Sequence, residues 1–201
     1  MATKSPKLFE SLRSMTAMTV TTVSLTLAAA SGASAATVFG FQDAYDPINW
    51  TFTNSNADGF VNTGGAPASI SLTGGDNGSG DFGTTDYTTT AAAAGTVTFD
   101  WNYSTADVSA FWDPFGYLLN GSFTQVTDNG GGVVQNGTST FNVLAGDSFG
   151  FRIFTRDNSV GPGSVTISNF SAPAPVPEPS TVLSLLVLGG LGAGLKYLKR
   201  N

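Results

Sequence analysis

The ionisable side chains that this chain lacks limit the chemistry it can perform. The 201 residues contain no Cys and no His. Without Cys the chain can form neither a disulfide nor a thiolate metal site. Without His it lacks the commonest general base and the commonest zinc ligand. Acid–base catalysis would therefore need a pair of carboxylates, as in glycosidases.

The carboxylates of the middle of the chain are all aspartates. The segment from Thr37 to Val176 contains twelve Asp and two Arg but no Lys or Glu, which gives it a net charge of −10. Most of these Asp lie beside Gly, Asn or Pro, where Asp commonly forms turns. We therefore predict that the protein is not an enzyme. We also predict no nucleic-acid binding, because that binding depends on cationic contacts to phosphate.

A metal site would have to use oxygen ligands, which suit calcium. The Gly-rich segment 74–81 offers Asp76 and Asp81 as candidate calcium ligands, but its spacing is not that of an EF-hand. The alternative is an ordinary flexible loop. Asp100, Asp107 and Asp113 could also converge in space. No other cofactor is predicted.

A dense aromatic segment, Phe111 to Tyr117, is the candidate ligand loop. It combines Trp112, Asp113 and Tyr117 at a turn, and such residues can stack on sugar rings and bind their hydroxyls. The alternative is a corner that closes one end of the domain.

The elements that carry these residues show the alternation of β-strands. Apolar residues alternate in segments 96–101 and 148–155, and Ile48, Trp50 and Phe52 are predicted to share one face. Turn sequences separate the segments, and Asn120-Gly121 is the clearest tight hairpin. Eight to ten short strands predict an all-β fold, an antiparallel β-sandwich of jelly-roll type.

The N-terminus has the order of a secretory signal peptide. Lys4, Lys7 and Arg13 precede an apolar stretch over residues 15–30, and small residues follow. We predict cleavage after Ala35 or Ala36. The alternative is an uncleaved membrane helix.

The C-terminus has the features of a membrane anchor. A Pro-rich linker over residues 173–179 precedes an uncharged apolar stretch that begins at Ser180, and the basic tail contains Lys196, Lys199 and Arg200. The apolar stretch predicts a transmembrane helix. The positive-inside rule keeps both basic ends in the cytoplasm and the middle domain outside.

Pro177, Glu178 and Pro179, followed by this helix and basic tail, resemble the PEP-CTERM sorting signal. The resemblance implies export in a Gram-negative-type bacterium and recognition of the triplet by an exosortase, often in connection with exopolysaccharide and biofilm. A plain single-pass anchor is the alternative. Segments such as 95–101 and 145–152 also resemble a domain common in PEP-CTERM proteins and bacterial surface adhesins, which implies a β-sandwich but no agreed activity.

The sequence thus predicts four segments: a signal peptide (1–36), an extracytoplasmic β-sandwich (37–172), a linker (173–179), and a transmembrane helix with a basic tail (180–201). We predict a non-catalytic surface or matrix protein linked to exopolysaccharide. The alternative is a carbohydrate-binding surface module that could depend on calcium. The predicted partners are signal peptidase, exosortase, the inner membrane before processing, and extracellular polysaccharide at the cell surface.

Overall fold

The computed structural model describes residues 35–176. These residues form eleven β-strands and two 3-10 helices, Asp43–Tyr45 and Pro47–Asn49. The strands are β1 (Ala36–Phe39), β2 (Thr51–Ser55), β3 (Phe60–Asn62), β4 (Ser69–Thr73), β5 (Gly83–Thr90), β6 (Gly95–Thr105), β7 (Phe115–Leu119), β8 (Ser122–Gln125), β9 (Val134–Val143), β10 (Ser148–Thr155) and β11 (Gly163–Ala174).

The strands form two antiparallel sheets. The six-stranded sheet has the order β3-β4-β11-β6-β9, and β1 pairs with the C-terminal part of β11. The five-stranded sheet has the order β2-β5-β10-β7-β8. The last strand, β11, therefore lies inside its sheet and pairs with β1, β4 and β6. An all-β antiparallel fold was predicted, and this prediction is confirmed.

Alternation places one face of each long strand in the core. Val97, Phe99 and Trp101 of β6 are buried, as are Phe149 and Phe151 of β10. The ring of Phe99 meets that of Phe151 edge-on, with centroids 4.9 Å apart. Because β6 and β10 belong to different sheets, this contact lies across the sandwich. The predicted inward faces of these two strands are confirmed.

An aromatic cluster fills the centre of the core. Trp50 stacks on Tyr87 at 4.9 Å and on Phe151 at 5.5 Å. Phe170 stacks on Phe41 at 4.7 Å and meets Trp50 edge-on at 5.8 Å. Such pairs add stability beyond the area they bury.

A β-bulge divides β11. The register against β6 shifts between Ser168 and Ser171. Asn169 adopts a positive φ of 47°, which Asn tolerates better than most residues. The extra residue resets the alternation. Ile167 and Phe170, three residues apart, therefore both point into the core.

The predicted Asn120-Gly121 hairpin is confirmed. These residues connect β7 to β8 and have φ values of 50° and 81°. Positive φ at both central positions is typical of a type I′ turn, whose twist matches that of the flanking strands.

The prediction that Ile48 shares a face with Trp50 and Phe52 is wrong. Ile48 is 87% exposed, whereas Trp50 is buried. Pro47 begins a 3-10 helix, and the Asp46 carboxylate caps it by accepting a hydrogen bond from the Ile48 backbone N–H at 3.0 Å. The local turn breaks the alternation before β2 begins.

The strands extend slightly beyond the predicted domain limits. Ala36 begins β1, and Pro173 and Ala174 end β11, where they pair with Thr37 and Ala36. The carbonyl of Pro173 accepts a hydrogen bond from the Tyr45 hydroxyl. In the described range 35–176, no helix is long and apolar enough to span a membrane. The predicted C-terminal helix and most of the predicted signal peptide lie outside the described residues.

The aromatic core generates a stability prediction. Replacing Phe151 with Ala removes a fully buried ring that contacts Trp50 and Phe99. We expect the free energy of unfolding to fall by about 3–5 kcal/mol, because a cavity replaces the ring. Urea denaturation of residues 35–176, followed by tryptophan fluorescence, measures this change. Phe82→Ala is the control, since Phe82 is 66% exposed. An equal loss in both variants would contradict the central role of Phe151.

Candidate functional site

The outer face of the six-stranded sheet is an array of short polar side chains. Pleating directs alternate residues of β4, β6, β9 and β11 toward solvent. The register places Asp100 between Thr138 and Ser168, and Asn102 between Asn136 and Thr166. Other sets of residues paired across these strands add further hydroxyl and amide groups. The outward residues of these four strands include Ser69, Ser71, Thr73, Thr96, Thr98, Asp100, Asn102, Asn136, Thr138, Thr140, Asn142, Ser164, Thr166 and Ser168.

Hydrogen bonds between neighbouring strands hold these side chains in place. The hydroxyls of Thr98 and Thr140 are 3.2 Å apart, and those of Thr73 and Ser164 are 3.1 Å apart. The Thr96 hydroxyl donates to Asn142 Oδ1 at 3.0 Å. Short side chains lose little conformational entropy when they are ordered. The polar face is therefore organised before any ligand arrives.

Asp100 is the only charged side chain among the outward residues of these four strands. Asn169 Nδ2 donates to its Oδ2 at 2.7 Å, and the Thr138 hydroxyl donates to its Oδ1 at 2.5 Å. These two donors lower the pKa of the Asp100 carboxyl, since they stabilise its charged form. The polar face thus carries a fixed negative charge at neutral pH.

Three shallow depressions lie on this outer face. The first surrounds Asp100 and is lined by residues of β6, β9 and β11. The second lies against Phe39 and the segment that precedes β4. The third lies over β3, β4 and β11. The sequence alone does not reveal this polar face, because alternation identifies outward residues without showing which strands are neighbours.

The predicted ligand loop is not a single exposed platform. The rings of Phe111 and Trp112 meet edge-on at 5.2 Å near the surface, and the Arg156 guanidinium lies 4.3 Å from the Phe111 ring centroid. Asp113 is only 1% exposed. Tyr117 is half-buried and stacks on Phe141 at 4.3 Å. Of the three predicted ligand residues, the structure therefore buries Asp113 and leaves Trp112 and Tyr117 partly exposed.

Asp113 is a buried carboxyl group at one end of the sandwich. The Thr105 hydroxyl donates to its Oδ2 at 2.7 Å, and the Tyr103 hydroxyl donates to its backbone carbonyl at 2.8 Å. Burial raises the pKa of the Asp113 carboxyl to about 6, and the nearby carboxylates of Asp107 and Asp157 act in the same direction. Of the three Asp that could converge, only Asp107 and Asp113 are near one another, whereas Asp100 lies on the outer face.

The other predicted site residues are distributed as follows. The Asp76 backbone N–H donates to the Asp58 carboxylate at 2.6 Å, and the Asp81 carbonyl accepts from Asn158 Nδ2 at 2.9 Å. Within residues 35–176, no group of three or more acidic side chains is arranged to hold a metal ion. Calcium binding by Asp76 and Asp81 stays a prediction. The positions from Pro177 onward, including the basic tail, lie outside the described residues.

The buried Asp113 generates a pH prediction. Its pKa is about 6 in the folded protein and near 3.9 in an unfolded chain, so the folded state holds the proton more tightly. Its contribution to stability is present below about pH 4 and is lost as the pH rises through about 6. We expect the melting temperature of the wild type to fall between pH 4.5 and 7 for this reason. The melting temperature of Asp113→Asn should not show this fall.

The control for this experiment is Asp100→Asn. The pKa of the Asp100 carboxyl is lowered, so the contribution of this group to stability is lost only when the pH falls through that lowered value. This variant should keep the wild-type decline between pH 4.5 and 7. A wild-type slope in Asp113→Asn would contradict the assignment to Asp113.

Comparison with known proteins gives one match to a sequence family. Residues 175–200 match the family described as the PEP-CTERM protein-sorting motif. No curated protein matches the chain in sequence.

Several solved structures resemble the chain in fold. A family 35 carbohydrate binding module from Clostridium thermocellum is 12% identical, with a TM-score of 0.35, over 66% of this chain and 98% of the module. The CBM35 from Paenibacillus barcinonensis is 15% identical, with a TM-score of 0.31, over 70% of this chain and 99% of the module. The secreted serine protease VesC from Vibrio cholerae is 15% identical, with a TM-score of 0.34, over 51% of this chain and 21% of the protease.

These likenesses are too distant to indicate a ligand or an activity. The match to the sorting motif is specific. It covers the segment in which the Pro-Glu-Pro triplet, the apolar stretch and the basic tail predict such a motif. The chain therefore carries a PEP-CTERM protein-sorting motif at residues 175–200, directly after an antiparallel β-sandwich domain.

Proposed function

We propose that the protein is an exported, non-catalytic component of the bacterial cell surface or extracellular matrix, sorted by an exosortase-type enzyme and linked to exopolysaccharide. The observation that carries this proposal is the PEP-CTERM motif, which begins at residue 175, one residue after β11 ends. The motif is thus joined to a central strand of the domain with almost no linker.

The position of the chain ends supports presentation from a membrane. Ala36 at the start of β1 pairs with Ala174 at the end of β11. The predicted signal-peptide cleavage site and the sorting motif therefore leave the domain at the same end, which we call the proximal end. Signal peptidase and exosortase would therefore act at adjacent positions of the proximal end, with the C-terminal helix holding the domain in the inner membrane of a Gram-negative-type cell before processing.

The distribution of charge supports the same orientation. The loops at the opposite, distal end, where β11 begins, contain seven of the twelve Asp, whereas the proximal loops contain three. Anionic lipid repels carboxylates. The acidic end should therefore point away from the membrane. The distal Asp are Asp58, Asp76, Asp81, Asp107, Asp113, Asp128 and Asp157.

A non-catalytic role is supported by the burial of the candidate carboxylates. A glycosidase needs two carboxyl groups that flank a bound substrate. Asp107 and Asp113 are neighbours, but both are buried. Asp100 is accessible, but it has no partner carboxylate among the outward residues of its sheet.

Carbohydrate binding is the second candidate function. The specific observation in its favour is the preorganised polar face around Asp100, since hydroxyl and amide groups are the partners that sugar hydroxyls use.

We also propose that the sandwich is of jelly-roll type. The order β4-β11-β6-β9 in one sheet and β5-β10-β7-β8 in the other supports this assignment. These eight strands, divided between two sheets, fit the double Greek-key arrangement of jelly rolls.

The sorting proposal predicts the fate of a motif variant. Replacing Glu178 with Gln changes the centre of the Pro-Glu-Pro triplet. We expect the protein to remain in the inner-membrane fraction instead of reaching the surface, because the sorting enzyme no longer recognises it. Cell fractionation and immunoblotting measure this distribution. Deletion of residues 196–201 should have the same effect, and Asp128→Asn, far from the motif, is the control. Normal surface delivery of both motif variants would refute the proposal.

The start of the mature chain gives a second prediction. Cleavage after Ala35 leaves all four residues of β1, whereas cleavage after Ala36 removes the one that pairs with Ala174. We expect N-terminal sequencing of the exported protein to find Ala36 as the first residue. A mature chain that begins beyond Phe39 would lack β1 and would contradict the proposed export route.

A further inference from the structure

Two exposed phenylalanines lie on the polar face of the six-stranded sheet. Phe39 of β1 is 70% exposed and pairs with Ser171 of β11. Phe60 of β3 is 57% exposed and pairs with Thr73 of β4. Ser171 and Thr73 both point outward, and residues paired across a ladder share a face. Two apolar rings thus flank the polar side chains instead of packing in the core.

Two shallow depressions lie on the surface between the two rings, and we call this surface the groove. Next to Phe39 lies a depression of about 470 Å³, lined also by Pro67, Ala68 and Ser171. The following depression is lined by Ser69, Ser71 and Thr166 among others. Ala68 and Ser69, which line the first and the second depression, are consecutive, and Asn62, which also lines the second, shares a face of β3 with Phe60.

The length of this groove suits a polymer better than a single sugar. Along β11 the two rings are separated by the distance from Ser171 to Ser164, since Thr73 pairs with Ser164. At about 3.3 Å per strand residue this distance is roughly 20 Å. A ligand that reaches both rings must therefore contain several linked units.

The charge of the domain decides which polymer fits. The segment from Thr37 to Val176 has twelve Asp and two Arg. Asp100, beside the groove, is held in its ionised form by Asn169 and Thr138. An anionic polymer would be repelled by this field. Neutral polymer chains lose no binding energy to this repulsion. Their hydroxyls can form hydrogen bonds with the fixed hydroxyl and amide groups of the polar face.

We propose that the outer face of the six-stranded sheet binds a neutral polysaccharide, which lies along the groove from Phe39 to Phe60 with sugar rings stacked on both phenylalanines. The face is distinct from the Phe111–Tyr117 loop. The inference rests on the proposed function only in so far as display at the surface brings the domain into contact with extracellular polysaccharide.

The test is native affinity electrophoresis of the full chain in a non-glycosidic detergent. The gels contain hydroxyethylcellulose, galactomannan or alginate, the last as the anionic polymer. We expect at least one neutral polymer to retard the protein and alginate to have no effect. Phe39→Ala and Phe60→Ala should each weaken binding by about three- to tenfold, as expected for loss of one stacked ring.

Phe82→Ala is the matched control, since Phe82 is exposed to a similar degree but packs against Phe154 of the other sheet. It should bind like the wild type. Equal melting temperatures of the variants show that the fold is retained. No retardation by either neutral polymer, stronger retardation by alginate, or an equal loss in Phe82→Ala would overturn the proposal. Conversion of a dimer to a monomer by Phe39→Ala, seen by light scattering, would also overturn it, because the face would then be a contact between copies.

The outcomes are separable from those of the sorting experiment. Binding is measured on purified protein, and sorting is measured in cells with an intact domain. Failure to bind with normal sorting would refute only the polysaccharide face, and binding with failed sorting of the wild type would refute only the proposed route.

Discussion

The stacking of aromatic rings between the two sheets is the interaction on which the domain depends. Trp50 contacts rings from both sheets, including Phe151 and Phe170. The chain has no Cys, so no disulfide supports the fold, and the excess of carboxylates opposes compaction. Within the described residues a single ion pair, Arg152 with Asp86 at 2.6 Å, offsets that repulsion. Apolar burial must therefore supply most of the stability.

The bulge in β11 couples this core to the outer surface. Its extra residue lets Phe170 join the aromatic cluster while Asn169, the preceding residue, donates to Asp100 on the opposite face. One backbone irregularity thus serves both packing and the electrostatics of the polar face. A substitution at Asn169 would affect both, because few side chains accept its positive φ and also donate a hydrogen bond there.

The sequence predicts the fold wherever local pattern determines structure. The alternation in β6 and β10 and the Asn120-Gly121 turn identify their elements, since both signals act over a few residues. The prediction for Ile48 is wrong because a capped turn interrupts the alternation. Strand β3 has only three residues, which is too short to show an alternation. The polar face could not be predicted, because the pairing of β6 with β9 and β11 joins distant segments.

The central position of β11 has a consequence for the order in which the protein can be made and exported. Its neighbours β1, β4 and β6 were synthesised long before it, and without it the six-stranded sheet has no centre. Such non-local pairing cannot form until the whole segment is present. The six-stranded sheet therefore cannot be completed during translation, and a chain that has not finished folding is what a narrow translocation channel requires. This sheet can be completed only after β11 has emerged, when the sorting motif is the next segment of the chain to follow.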